Sequence, residues 1–435
     1  MTRNLCSGWP VFLQQWQGAA GCYFSIEESV HDGKWASMGS FFYLFTPAVF
    51  YYGLECAEYN LMLCCMSWTV FFYFKTLHKM KLSALTGFFL FAILSVYSQY
   101  GAAFLVTGMY LSLVIAFFQD KNRRMLIRLL LLTVITFFAA VLPLVFLFLI
   151  PQMANQGSAT VSHIPFFVHG VVYDFFWGIG LTLSYMYDRI TVWGVYFLFS
   201  ICIVSFFLDR KKRIRPLTAL AITWMLYYVA VACSFYGYNN YNMSSIGTKN
   251  IGGKYSYFLI PFLIPILFTG LQAFTKWMGT KIPDIKKYLF LFFALGITVF
   301  CCLEVYRMGV KGWSKEDVRE AAMAWYDEDI QDTKTLIHQW NDAAFQFYLT
   351  HDKRYHPSLQ ENIETTGMWI RHTDYNDLRT HLKEMGYLDN KDFYHITPDF
   401  GSYEIFLDVM RDEGYSVDTI YEGETLLLHL TKQDI

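Results

Sequence analysis

From Trp35 to Tyr306 the chain reads as apolar runs separated by short polar stretches, and from Arg307 onward it alternates short strand-like and helical periods. Nine runs have about the length that a bilayer-crossing helix needs: 37–54, 57–74, 83–97, 98–118, 125–150, 190–208, 216–235, 255–275 and 288–306. Two of them, 37–54 and 83–97, are short and each is followed at once by another run. This spacing predicts helices broken near one face of the bundle. Irregular backbone at that depth survives only where protein covers it or it lines a cavity.

Ahead of these runs, residues 1–36 read as an N-terminal cytoplasmic or interfacial segment. Pro10 to Phe24 is mildly apolar but interrupted by Gln14, Gln15 and Gln17, and 25–34 (SIEESVHDGK) reads as a polar loop. The segment lacks the basic head, continuous apolar middle and small-residue cleavage site of a signal peptide.

After Tyr306 the pattern predicts a strand at 332–340, helices at 341–351 and 374–387, a strand at 391–398, a helix at 402–415 and a hairpin over 418–432. Such alternation implies a small α/β domain over 307–435, following a membrane domain over 37–306. No glycine-rich phosphate loop, nucleophile elbow or histidine-metal motif occurs in it. The acidic run Asp327, Glu328, Asp329 reads as a solvated linker.

Composition sharpens the class. The chain is 55% hydrophobic and only 16% charged, against about 25% charge in a soluble domain. A polytopic α-helical membrane protein with a small polar C-terminal α/β domain is the expected fold. The net charge of −2 argues against nucleic-acid binding. The nine cysteines show no metal-ligand spacing or disulfide framework, so neither metal nor cofactor is expected.

Charge placement orients the bundle. Loops around 75–81, 121–128, 210–215 and 276–287 hold sixteen Lys and Arg, whereas the alternate set holds three: Arg189, Lys249 and Lys254. The positive-inside rule makes the first set cytoplasmic. The N-terminus is then expected inside, and the C-terminal domain, the break near Glu55 and loops 151–189 and 236–254 outside.

The expected outer face gathers the candidate chemistry. Glu55 and Glu58 lie in the break between two apolar runs, where an ionisable side chain is a functional-site candidate; alternatively both sit in headgroup space and hydrate the turn. Loop 151–189 carries His163, His169, Asp174, Asp188 and Arg189 among aromatics, and reads equally as a substrate-gating lid or an ordinary interfacial helix. In loop 236–254, Gly252 and Gly253 precede Lys254, which opens the run at 255–275. A lysine there pairs with a lipid phosphate or simply snorkels from a helix end.

The order of these parts resembles the GT-C superfamily of polytopic glycosyltransferases, in particular the protein mannosyltransferase-like and rhizobial-type polyprenyl-phosphate-sugar transferase branch. Three short motifs carry the likeness. A P…YS.E.R.Y stretch has counterparts in Pro47, Tyr51, Tyr52, Glu55 and Tyr59; an HY pair in Gln99–Tyr100; and an RY…P helix start in Lys254, Tyr255 and Pro261. The family arginine after the glutamate is Ala57 here, its histidine is Gln99, and its later arginine is Lys254. The family's first extracytoplasmic loop, which bears its catalytic acid, has no counterpart, so the chain reads as starting near the end of the family's second span.

What the resemblance implies is inverting transfer of a sugar from a polyprenyl-phosphate donor to a glycan, lipid or protein acceptor outside the cytoplasm, in a bacterial plasma or inner membrane. Glu55 or Glu58 would act as base, and Lys254, Tyr255, Arg189, Gln99 and Tyr100 would hold the donor. The missing loop leaves open a truncated or inactive homologue that binds lipid or serves as a scaffold. A transporter fits less well, because no repeat of matched broken helices is evident.

Overall fold

The structure is a computed structural model. It describes residues 5–46, 49, 58–150, 196–204, 214–232, 257–282, 284–310, 318–328, 330, 333–365, 375–398, 403–423 and 425–433. The chain forms two compact units, Met1–Met308 and Gly309–Ile435.

The first unit is helical. Its described elements are α1 (Leu5–Val30), α2 (Gly33–Phe45), α3 (Glu58–Lys79), α4 (Leu82–Ser98) and α5 (Ala102–Gln119). Next comes α6, which starts at Arg123 and passes through two π-helical stretches, Phe137–Val141 and Val145–Leu149. A helical segment at 196–204, then α7 (Ile214–Ala232), α8 (Ile260–Lys281) and α9 (Ile285–Val310) complete it. Among the described residues, four helices are long and apolar enough to cross a membrane: Ala102–Gln119, Arg123–Phe148, Tyr257–Lys281 and Ile285–Tyr306. Exposed Leu130, Leu131, Phe138, Leu147, Phe292 and Leu295 put an apolar surface on α6 and α9 that suits lipid.

Helix α1 overturns the expected loop at 25–34. It runs unbroken to Val30 and packs inside the bundle through Ala19, Cys22, Ile26 and Val30. Contacts with α3 fix its direction. Gln17 accepts from the Cys64 thiol at 3.7 Å, Phe24 packs on Trp68 and Phe71, and Glu28 pairs with Lys79 at 2.7 Å. The two helices are therefore parallel, and α1 begins at the end of the bundle opposite Lys79. A chain start on the basic side is contradicted by this geometry. The expectation failed because polar residues lowered the apparent hydropathy of α1, although Gln15, Gln17 and Glu28 have partners on other parts of the bundle. Gln15 donates to the Val49 carbonyl at 3.1 Å, and Gln17 and Glu28 are paired as above.

Close backbone approach holds the core. A Cβ on Gly21 of α1 would meet Ser67 Cβ of α3 at 2.9 Å, and one on Gly108 of α5 would meet Thr223 Oγ1 of α7 at 2.0 Å. Small residues at such crossings let helices pack where lipid removes the hydrophobic drive for association. Helix α2 ends at Thr46, whose extended backbone precedes Pro47, as the clash between a proline ring and the preceding residue demands. Met80 and Lys121, both at positive φ, turn the chain between α3 and α4 and between α5 and α6. The basic loops gather at one end. Arg215 pairs with Asp120 at 2.6 Å, Tyr73 and Ser112 both reach the Arg215 carbonyl, and Gln272 donates to the Val30 carbonyl beside Glu28–Lys79.

The second unit carries a five-stranded sheet in the order β2-β1-β3-β5-β4. Its strands are β1 (Thr335–Ile337), β2 (Ile363–Thr365), β3 (Asp392–Pro398), β4 (Tyr415–Tyr421) and β5 (Thr425–Lys432). β2, β1 and β3 are parallel, and β5 pairs antiparallel with both β3 and β4. Side chains alternate across the strands. Leu336, Phe393, Leu428 and Leu430 pack with α12 (Tyr375–Glu384) and α13 (Tyr403–Asp412). Ile337, Ile396 and Leu427 pack with α10 (Val318–Asp327) and α11 (Gln339–His351).

Two details differ from the sequence reading. Gly414, at φ +82, ends α13 so that Tyr415 already begins β4. Asp327 closes α10 and pairs with Arg354 at 2.7 Å, so it belongs to a helix and an ion pair instead of a linker.

Candidate functional site

Three helix starts converge at the end of the first unit away from the basic loops. Glu58 opens α3. One residue on, the Tyr59 ring meets Tyr257 edge-on, with centroids 6.0 Å apart. Tyr257–Leu259 is a fully buried 3-10 turn that leads into α8, where Pro261 occupies the first turn and needs no intrahelical partner for its missing N–H. The next ring, Phe258, packs on Phe104 of α5 at 6.1 Å and on Tyr227 of α7 at 5.5 Å. Trp224 meets Tyr227 edge-on behind it. This aromatic cluster ties the starts of α5 and α8 to α7, and Tyr59 ties α3 to them.

Between α4 and α5 the chain breaks sharply. Gln99 is extended (φ −156, ψ 125) and its N–H donates to Ser95. Ala102 and Ala103 then donate to the carbonyls of Gln99 and Tyr100, starting α5 without a straight passage. This is the short-helix break expected after 83–97. Gln99 Oε1 is buried and has no hydrogen-bond partner among the described residues. A buried carbonyl oxygen without a donor costs about 1–3 kcal/mol, so it stands ready to accept a hydrogen bond.

Of the sequence-derived candidates, the structure places Gln99 and Tyr100 at this break and Glu58 at the start of α3. Glu55, Arg189, Lys254 and Tyr255 lie outside the described residues, as does the side chain of Glu58 and the loop carrying His163 and His169. Lys254 and Tyr255 precede Tyr257 by three and two residues.

One acidic residue escaped the sequence reading. Glu304, on α9, is 1% exposed. It sits one turn past Phe300, whose ring packs on Phe42 of α2. Its signal was present as a lone carboxylate inside the run 288–306, where charge is costly. Asn60, in the first turn of α3, is a second buried polar side chain at this end. Among the described residues, no three His, Cys, Asp or Glu side chains are grouped to hold a metal ion.

Comparison with known proteins finds likeness in fold and none in sequence. No family profile and no curated protein matches the sequence. The fold is similar to the crystal structure of ArnT from Cupriavidus metallidurans in the apo state, with a TM-score of 0.52 and 11% identity, over 97% of this chain and 83% of that one. At that identity the likeness establishes architecture. The chain is a polytopic helical membrane protein with a fold like that of ArnT.

Proposed function

We propose that the chain is an inverting membrane glycosyltransferase, moving a sugar from a polyprenyl-phosphate donor to an acceptor on the extracytoplasmic side. The observation that carries this reading is the Tyr59–Tyr257 contact within a GT-C-like fold. It ties the helix opened by Glu58 to the one that follows Lys254 and Tyr255, the residues whose types the chemistry requires.

Inverting transfer from a sugar phosphate needs one base, because the phosphate leaves already ionised. A carboxylate within hydrogen-bond reach takes the acceptor hydroxyl's proton as its oxygen attacks the anomeric carbon. Glu55 is assigned that role, with Glu58 as the neighbouring carboxylate. As the bond to phosphate oxygen breaks, a fixed cation stabilises the growing negative charge; Lys254 supplies it, with Arg189 assisting. Tyr255, Gln99 and Tyr100 orient the donor by hydrogen bonds, and the unsatisfied Gln99 Oε1 matches a sugar hydroxyl donor. The acceptor is a glycan, lipid or protein, and the second unit shares its compartment.

The test is donor consumption in vesicles. The purified chain is reconstituted with radiolabelled polyprenyl-phosphate sugars and an envelope lipid and glycan fraction as acceptor. Glu55→Gln and Lys254→Ala are each expected to slow transfer about 10²–10⁴-fold, the contribution typical of a general base. Transfer at the unmutated rate in both variants refutes the site. Donor that binds but is never consumed points instead to a lipid-binding homologue.

A further inference from the structure

The parallel part of the second unit's sheet reverses its winding between β1 and β3. β1 pairs with β2 on one side and with β3 on the other. The helix after β1, α11, packs on the face that holds Ile337 and Ile396. The helix after β3, α13, packs on the opposite face with Leu336 and Phe393. Adjacent strands whose chains leave toward opposite faces open a crevice at their carboxyl ends, the place where open α/β sheets bind ligands.

The floor of this crevice is polar and buried. The His338 N–H donates to the Ile396 carbonyl at 2.8 Å and joins the two strand ends, and the Asn341 N–H donates to the His338 carbonyl at 2.8 Å as α11 begins. From that first turn Asn341 Nδ2 reaches Thr425 Oγ1 at 3.3 Å, and Thr425 stands opposite Pro398, the last residue of β3. Asn341, Thr425 and Thr397 are all buried. Asp342, the next residue of α11, is half-buried and forms the rim.

Two acceptors are left over. Asn341 Oδ1 is buried without a hydrogen-bond partner among the described residues, and so is Asp342 Oδ1. Native folds rarely leave a buried acceptor without a donor, so two at one helix start mark a place where donors arrive from outside. The same atoms narrow the chemistry of what arrives. A phosphate or carboxylate brings no donor, would face the Asp342 carboxylate, and would meet no lysine or arginine from Thr335 to Thr350. Burial lowers the His338 pKa, which keeps that imidazole uncharged at neutral pH. An ammonium only donates, toward a helix start whose first N–H groups are donors themselves. A hydroxyl does both, and neighbouring hydroxyls on one ring can serve the two oxygens and the helix start together.

We propose that this crevice binds a neutral sugar residue, with Asn341 Oδ1 and Asp342 Oδ1 accepting from its hydroxyls. The site is built from the second unit alone. It goes beyond the transferase reading and does not depend on it.

The test is hydrogen exchange of the full chain in lipid nanodiscs, read by mass spectrometry over 335–350. The probes are the methyl glycosides of glucose, galactose, mannose and N-acetylglucosamine, and inorganic phosphate. At least one glycoside is expected to slow exchange there in a saturable way, and phosphate is not. Asp342→Ala and Asn341→Leu are each expected to weaken the affinity about three- to tenfold, the worth of one hydrogen bond. Thr419→Ala, exposed on β4, is expected to leave it unchanged.

Stability separates binding from a purely structural role. Asn341→Leu removes a buried group that is only partly satisfied, so its thermal unfolding is expected to match or exceed that of the unmutated chain. A lower unfolding temperature removes Asn341 from the site. No protection by any of these glycosides, protection by phosphate instead, or undiminished affinity in Asp342→Ala overturns the proposal. Lys254→Ala is expected to lose transfer and keep this protection, so either reading can fall without the other.

Discussion

The pair Glu28–Lys79 tests whether α1 is an integral helix of the bundle. Glu28 is 8% exposed and Lys79 46% exposed, with 2.7 Å between Nζ and Oε2; His78 Nδ1 stands 3.9 Å from the other carboxylate oxygen. The asymmetry of burial sets the asymmetry of effect. Lys79→Met strands a buried carboxylate, a change that costs roughly 3–5 kcal/mol for a fully buried pair. Half exposure of the lysine and the nearby His78 reduce this to about 2 kcal/mol.

Glu28→Gln leaves only a lysine that can turn into solvent, so it costs about 1 kcal/mol, the worth of one hydrogen bond. The double variant removes the stranded charge. Its cost is expected to be below the sum of the two by about 1 kcal/mol or more, a coupling expected only of groups in contact. The assay is unfolding in detergent with denaturant, followed by tryptophan fluorescence. Additive single effects within 0.3 kcal/mol, at the level seen for distant sites, refute the placement of α1 against α3.

Two further outcomes follow from packing and burial. Gly108→Val drives a side chain into Thr223 and the Ala219 carbonyl, which lie 2.0 and 2.6 Å from the position of the first added carbon; a loss of about 1–3 kcal/mol is expected from overpacking, and unchanged thermal stability counts against the α5–α7 contact. Burial lowers the pKa of His338 below its usual value. The unfolded state therefore binds the proton more readily, so the second unit is fully stabilised above about pH 6.5 and loses stability as pH falls below it. Hydrogen exchange at the His338 amide, which donates to Ile396 at 2.8 Å, reads this loss once corrected for intrinsic rates. An identical pH slope in His338→Asn refutes it.

Much of the helical layout was legible because long apolar runs have few alternatives. The runs 83–97 and 98–118 became Leu82–Ser98 and Ala102–Gln119, with the break between them at Gln99. In the second unit, alternation located Asp392–Pro398 and Thr425–Lys432. Two features resisted. Helix α1 hides its bundle role because Gln15, Gln17 and Glu28 look like surface residues until their partners on other elements are known. Strand β2 is three residues long and half-buried, with too few positions to show a period.

The candidate site was legible in part. Gln99 was marked by its place at a break, but its unsatisfied oxygen is a property of packing. Glu304 was visible as a charge in an apolar run, yet a single carboxylate near a span end reads as interfacial until its 1% exposure is known. The Tyr59–Tyr257 contact could not be read at all, because about two hundred residues separate rings that only the fold brings together.

Sidedness decides whether a lipid-linked sugar is within reach. Cysteines replacing exposed Thr419 in the second unit and exposed Lys121 in a basic loop, each placed in a background with the native thiols removed, are treated with a membrane-impermeant maleimide in intact cells. Labelling of position 419 without permeabilisation, and of position 121 only after it, is the expected pattern. The reverse pattern puts the second unit in the cytosol and contradicts transfer outside it.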